Sequence, residues 1–328
     1  MKVVAIRGAG GPEVLHIEER ESRALAEGEV RVEVAAAGLN RADVIQRKGF
    51  YPAPKGTVQD VPGLEYAGAI VEVSPGIDPL RIGERVMGIV SGGAMATEVV
   101  VPIRETIPVP EDLSLVEAAA IPEVFITAWD AVRRTGELTA GQTLLIHSVG
   151  SGVGTAAVQL GRAWGVKTIG TSRTEEKLTR CVALGLDHGI LVPRGEVSFA
   201  ARVGELTSGQ LAHVILDTVG GGYLAENVRA LAPRGTCVVV GLLAGIEGTL
   251  PLGVLLAKRA RVVGSVLRSR GADEKAALAS GFVRDVLPLL ARGDVGPIID
   301  HVLPMADIKD AHAAMEADET FGKIVLVW

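Results

Sequence analysis

At 328 residues the chain is too long for a single small core and suits two domains of ordinary size. Its net charge of -6 argues against nucleic acid as the main partner, since that role more often goes with a basic surplus. Hydrophobic residues make up 48% and charged residues 22%, a globular composition, and the 41 glycines exceed the usual share of about 7%, implying many turns and close backbone approaches.

The first segment, MKVVAIRGAG, is strand-like and lacks the apolar core of a signal peptide. Alternation of apolar and polar residues follows in Glu29–Gly38, Glu65–Val73 and Ala96–Pro102, closely punctuated by Pro62-Gly63, Pro75-Gly76, Gly83 and Gly92-Gly93. That pattern predicts a mostly antiparallel β-barrel or sandwich over residues 1–120.

The chain then becomes rhythmic. Short β-branched runs start at Thr143, Val166, His188, His213, Thr236 and Ala260, at spacings of 23, 22, 25, 23 and 24 residues. Each spacing holds one strand, one helix and two loops, the repeat of a parallel βα sheet. Helical patterns lie between them at Val153–Trp164, Thr174–Leu184 (closed by Gly185) and Tyr223–Leu231. Six strands in this rhythm predict a doubly wound nucleotide domain over residues 121–269. The most hydrophobic stretch, Thr236–Ala257, contains Glu247, Pro251 and four glycines and cannot make a spanning helix. The basic runs Lys258–Arg261 and Arg268–Arg270 read as solvated ends of elements. The tail predicts a helix over Glu274–Arg292, a strand at His301–Pro304, a helix over Ile308–Ala317 and a last strand, KIVLVW. It breaks the rhythm, so residues 270–328 are expected to rejoin the first domain. Cys181 and Cys237 read as buried structural thiols of a cytoplasmic protein.

After the first strand of the rhythm comes Ser148-Val149-Gly150-Ser151-Gly152-Val153-Gly154, opening a helix at once. Small residues there let backbone N–H groups at a helix N-terminus approach a pyrophosphate. Ser172 stands 20 residues beyond Gly152, where an NAD-specific fold places an acid on the ribose. Ser172, Arg173 and Lys177 suit a 2′-phosphate instead, which predicts NADPH as cofactor.

The residues Asn40-Arg41-Ala42-Asp43, Gln46–Pro52, Pro62–Gly68, Ala118–Glu123 with Thr127, Ser151–Thr155 and Gly322–Val325 run in one order across nearly the whole chain. In them the sequence resembles the zinc-free quinone oxidoreductases of the medium-chain dehydrogenase/reductase superfamily, most closely their apoptosis-associated branch. The resemblance implies an α/β chain with a GroES-like mostly-β catalytic domain and a Rossmann nucleotide domain. Zinc-dependent relatives carry a cysteine in place of Asn40 and a histidine in place of Leu64; an amide and a leucine lack the ligands zinc prefers. No two of the six histidines share a metal-ligand spacing, and catalysis is expected to run without a metal. Val192 stands where relatives carry a tyrosine near the adenosine end of the cofactor, and valine can neither stack as a ring nor donate a hydrogen bond.

By the same resemblance, Leu242, Ser265 and Lys323 join Gly150, Ser151, Gly152, Val153, Gly154, Ser172, Arg173 and Lys177 as cofactor contacts. The acceptor, a quinone or other activated carbonyl, would lie in a cleft near Asn40, Tyr51 and Thr127. Tyr51 could donate a proton to the reduced oxygen or serve as an aromatic wall, and Asn40 could orient a carbonyl or cap a helix. Reduction of an enoyl or 2-alkenal compound is the competing chemistry, and NADPH sequestration without turnover the competing class. The apolar run Arg261–Leu267 would leave an exposed sheet edge unless covered, which predicts a homodimer.

Overall fold

The computed structural model describes the backbone of residues 1–328 and every side chain except that of residue 80. The chain divides into two compact units. The first comprises Met1–Ile126, Leu267–Gly293 and Pro297–Trp328; the second comprises Thr127–Val266 with Asp294–Gly296.

In the first unit β1 (Lys2–Ile6) and β2 (Leu15–Glu19) form an antiparallel pair. Then come β3 (Glu29–Leu39), β4 (Glu65–Val73), β5 (Arg85–Ile89), β6 (Glu98–Pro102) and β7 (Ile107–Pro108). β3 pairs antiparallel with β4 and β6, β4 with β5, and β5 with β7. The alternation in β3 explains its placement: Val30, Val32 and Val34 are buried while Glu33 between them is exposed. These valines join Tyr66, Ile70, Val86, Ile324 and Leu326 in one core. Each such aliphatic side chain, fully buried, contributes about 1.5–3 kcal/mol.

In the second unit β8 (Thr143–Ile146), β9 (Lys167–Ser172), β10 (His188–Leu191), β11 (Ala212–Asp217), β12 (Leu231–Val239) and β13 (Arg261–Gly264) form one sheet. Its order is β10-β9-β8-β11-β12-β13, and every pairing is parallel. This is the doubly wound order, whose direction reverses between β8 and β11. The helices Gly152–Ala163, Glu175–Ala183 and Leu224–Ala230 fall where the periodicity predicts them.

After the second unit the chain forms β14 (Ile299–Pro304) and β15 (Lys323–Val327). β15 lies parallel to β14 and antiparallel to β3, completing the first unit's seven-stranded sheet.

Two expectations about elements need correction. The helix predicted over Glu274–Arg292 is two, Ala272–Asp285 and Leu287–Ala291. Pro288 lies in the first turn of the second, where its missing N–H does no harm but forbids continuation from the first. The stretch Thr236–Ala257, expected not to make a spanning helix, runs into a short helix, Leu252–Lys258. Among the described residues no helix is long and apolar enough to cross a membrane. Finally, Arg268 is no solvated end: it is 4% exposed.

Candidate functional site

In the first unit Asn40 ends β3 and begins the helix Arg41–Arg47. Asp43 caps that helix by accepting the Asn40 backbone N–H at 2.8 Å, and its other oxygen accepts the Gly63 N–H at 2.8 Å. Burial pushes the Asp43 carboxyl up to about 6, against these two donors and the charges of Lys323 and Arg268. The Asn40 side chain turns away from the cap. Its Nδ2 donates to Glu65 Oε1 at 2.9 Å and its Oδ1 accepts from Lys323 Nζ at 2.8 Å.

Lys323, expected by resemblance as a cofactor contact, is buried here. Its ammonium donates to the Leu39 carbonyl at 2.9 Å, to Asn40, and to Glu65 Oε1 at 2.5 Å, which occupies all three of its protons. Glu65, fully buried, also accepts the Glu123 N–H at 2.8 Å. Gly38 makes room for it, since a Cβ there would sit 2.3 Å from Glu65 Oε1. Burial and the Glu65 carboxylate push the Glu123 carboxyl up to about 8, with Lys323 and Lys275 pulling the other way. Leu64, at the position of a zinc-binding histidine in metal-dependent relatives, is buried. No group of three or more His, Cys, Asp or Glu among the described residues could hold a metal ion.

Tyr51 stands outside any helix or strand and is half-buried. The guanidinium of Arg268 lies 4.9 Å from its ring centre and donates to its carbonyl oxygen at 3.0 Å. Burial and the charge of Glu123 raise the Tyr51 phenol above its ordinary value, and Arg268 opposes them. Thr127, half-buried, lies in the helix Pro122–Trp129 and belongs to the second unit.

In the second unit the parallel sheet brings the C-terminal ends of its strands to one edge, the edge at which ligands bind in such sheets. Gly150, Ser151, Gly152, Val153 and Gly154 follow β8 there, Ser172 ends β9 and Arg173 follows it, Leu242 follows β12, and Ser265 follows β13. Lys177 lies in the helix after β9. The Ser151 side chain caps the helix after β8, accepting the Gly154 N–H at 3.1 Å. A Cβ on Gly154 would come within 2.4 Å of the Val149 carbonyl oxygen, so only glycine lets this loop fold so closely onto its helix. The remaining N–H groups of the first turn lack a carbonyl partner within the helix, the arrangement by which helix N-termini bind anions. Ser265 Oγ donates to Asp130 at 3.3 Å, and Leu242 is about half exposed. Val192 is buried in the unit's core and offers no surface to a ligand.

Sequence reasoning missed the network beneath this edge. His147, fully buried at the end of β8, contacts Thr171 Oγ1 through Nδ1 at 2.8 Å and Asn227 Oδ1 through Nε2 at 2.6 Å. Asn227 Nδ2 donates to Asp217 Oδ2 at 2.9 Å, which fixes its carbonyl toward His147. The imidazole therefore carries its proton on Nε2 and accepts from Thr171 at Nδ1. Asp217 Oδ1 accepts the N–H groups of Val219 and Gly220, at 2.8 and 2.9 Å, and so shapes the turn at the point where the strand order reverses.

A β-rich unit closed by its own C-terminal strand, with a doubly wound unit inserted before it, is the construction of the medium-chain dehydrogenase/reductases. Residues 26–111 match the alcohol dehydrogenase GroES-like domain and residues 152–281 match the zinc-binding dehydrogenase family. A quinone oxidoreductase of Pseudomonas aeruginosa is 31% identical over 329 residues, covering 99% of each chain. A polyketide synthase component of Streptomyces venezuelae is 36% identical over 217 residues, 66% of this chain but only 6% of that protein. The crystal structure of Escherichia coli quinone oxidoreductase complexed with NADPH superposes at a TM-score of 0.88, with 28% identity and full coverage of both chains. An NAD-dependent alcohol dehydrogenase superposes at 0.86 with 30% identity, again over the whole of both. The chain belongs to the quinone oxidoreductase-like family of this superfamily and is an oxidoreductase.

Proposed function

We propose that the chain reduces quinones with NADPH, without zinc, and that Tyr51, Asn40 and Thr127 act on the acceptor. The observation that carries the cofactor reading is the end of β9. Ser172 and Arg173 stand there in place of an acid, with Lys177 in the helix that follows. A carboxylate would repel the 2′-phosphate; a guanidinium binds it bidentately. The loop Gly150–Gly154 suits the pyrophosphate, and the E. coli relative was crystallised with NADPH. Zinc is poorly served by the first unit, where Asn40 and Leu64 offer no thiolate or imidazole and the ammonium of Lys323 already sits on Glu65.

Bound NADPH supplies a hydride. The chain's own part is to hold the acceptor, and the Tyr51 hydroxyl donates a proton to the oxygen that gains charge, then recovers one from solvent. Asn40, its amide held by Glu65 and Lys323, is a fixed dipole rather than a mobile one. A homodimer is supported by the edge position of β13 and by exposed Leu252, Leu256 and Ile246 in the preceding segment. Two free buried thiols support a cytoplasmic location.

Titration of both nucleotides tests the reading: NADPH is expected to bind at least about ten-fold more tightly than NADH, a difference of about 1.4 kcal/mol. Arg173→Glu should weaken NADPH far more than NADH, and equal affinities in the parent protein would overturn the cofactor assignment. Turnover with a benzoquinone, a 2-alkenal and a crotonyl thioester separates quinone reduction from enoyl reduction and from sequestration without turnover. Tyr51→Phe should lower kcat roughly 10- to 100-fold with little change in NADPH affinity. Elemental analysis should find no stoichiometric zinc, and light scattering a dimer.

A further inference from the structure

The segment from residue 48 to 64 that carries Tyr51 has no helix or strand of its own, so something else must hold the ring in place. Gln46 ties one side by donating from Nε2 to the Gln59 carbonyl at 3.0 Å, and Asp43 ties another through Gly63. The third tie is Arg268, which lies far away in sequence, just after β13. Its Nε donates to the Ser91 carbonyl at 2.7 Å, its Nη1 to the Tyr51 carbonyl at 3.0 Å and its Nη2 to Gln46 Oε1 at 2.6 Å. Ser91 Oγ returns a bond to the Arg268 carbonyl at 2.7 Å, so main chain and side chain of the arginine are both anchored. Lys275 Nζ donates to the same Ser91 hydroxyl. The guanidinium fork thus bonds to Ser91, Tyr51 and Gln46, and its Cζ lies over the Tyr51 ring.

We infer that Arg268 is a positioning residue for the reaction, holding the Tyr51 backbone and ring together so that the phenol faces the acceptor. This rests on the reading of Tyr51 as the proton donor. A planar cation is suited to the task because one group can bond the carbonyl in plane and meet the ring with its face. A lysine could supply the charge but not the fork. The positive charge also favours ionisation of the phenol, countering burial and Glu123, so the arginine eases proton release as well as fixing direction. Burial among these segments lowers the ordinary pKa of Arg268 itself, against Asp43, Tyr51 and Glu123, and the guanidinium in turn lowers that of Lys275.

The test compares Arg268→Met, Arg268→Lys, Tyr51→Phe and the double variant Arg268→Met/Tyr51→Phe. Each is measured for kcat and KM with a benzoquinone, and for NADPH affinity by fluorescence. Arg268→Met is expected to lower kcat roughly 10-fold while NADPH affinity changes less than about two-fold, because the loss lies in orienting one donor. Arg268→Lys should recover part of the kcat. In the Tyr51→Phe background, Arg268→Met should cause little further loss, because two residues serving one interaction are not additive. Losses that multiply, a wild-type kcat for Arg268→Met, or a parallel loss of NADPH affinity would each overturn the inference and leave a structural clamp. Full turnover by Tyr51→Phe would overturn the underlying donor reading, and this one with it. Should Arg268→Met fail to fold, Gln46→Leu removes one acceptor and keeps the charge. It should give a smaller loss of kcat that again vanishes without the Tyr51 hydroxyl, and no loss would overturn the inference.

Discussion

Each unit buries a polar network, and the two are built on opposite principles. In the first unit the network is ionic: Lys323 meets Glu65 at 2.5 Å, both nearly without solvent contact, with Asp43 and Glu123 nearby. In the second it is a relay of mostly neutral groups, Thr171 to His147 to Asn227, that ends on one carboxylate held by backbone N–H groups. The ionic network concentrates charge and leaves two carboxyls with raised pKa values. The relay fixes a tautomer and a turn, and it leaves its histidine neutral. A buried ion pair becomes a liability when half of it is removed, whereas a neutral relay loses one bond at a time.

The largest effect should come from Lys323→Met, which leaves Glu65 charged, buried and without its cation. A loss of about 3–5 kcal/mol is expected by denaturant titration. Adding Glu65→Gln should recover most of it, since glutamine still accepts the Glu123 N–H. If the double variant is no more stable than the single one, the pair does not behave as a unit.

Acidity should separate the networks next. Folded Glu123 holds its proton up to about 8 and Asp43 up to about 6, both above their unfolded values. Their contribution is present at low pH and is lost as pH rises, from about 4 toward 8, at no more than about 1.4 kcal/mol per pH unit for each proton. His147 and His312 have the opposite sign. Both are pushed down by burial, His312 to about 3, so their contribution is lost as pH falls below about 6.5. Urea midpoints from pH 4 to 9 should show Glu123→Gln flattening the alkaline slope and leaving the acid slope in place.

Breaking the relay should be milder. Asn227→Leu strips one partner from His147 and one from Asp217, at about 2 kcal/mol. Thr171→Val removes a single hydrogen bond and should cost about 1 kcal/mol. A loss from Thr171→Val as large as that from Lys323→Met would mean that the relay also behaves as one unit.

Much of the fold is legible in the sequence because the second unit advertises itself through repetition. Strand starts every 22 to 25 residues, with a glycine-rich turn after the first, leave few other architectures open. The alternation in β3 and β4 is equally readable. What escapes is anything that depends on a distant partner. Lys323 reads by resemblance as a cofactor contact, and only Glu65, across the sheet, makes it a buried cation. Arg268 looks like a solvated charge until Ser91, Gln46 and Tyr51 are folded around it. A buried carboxylate implied by Glu65 beside an apolar strand would have been a signal to search for a lysine or arginine in another apolar run. The short helix Leu252–Lys258 and the π-helical turn Asp130–Thr135 carry no comparable signal, because their residues fit several local structures.

The pairing of β15 with β3 also has a consequence for how the chain is made. Leu39 pairs across the sheet with Ile324, which leaves the ribosome some 285 residues later. The second unit is nearly continuous, so all six of its strands emerge together and can fold while synthesis continues. Throughout that interval the apolar end of β3, from Ala36 to Leu39, waits with one side open, a template for wrong partners. A chain that stopped short of Lys323 would carry a finished nucleotide unit, an unclosed sheet, and a buried glutamate facing no cation.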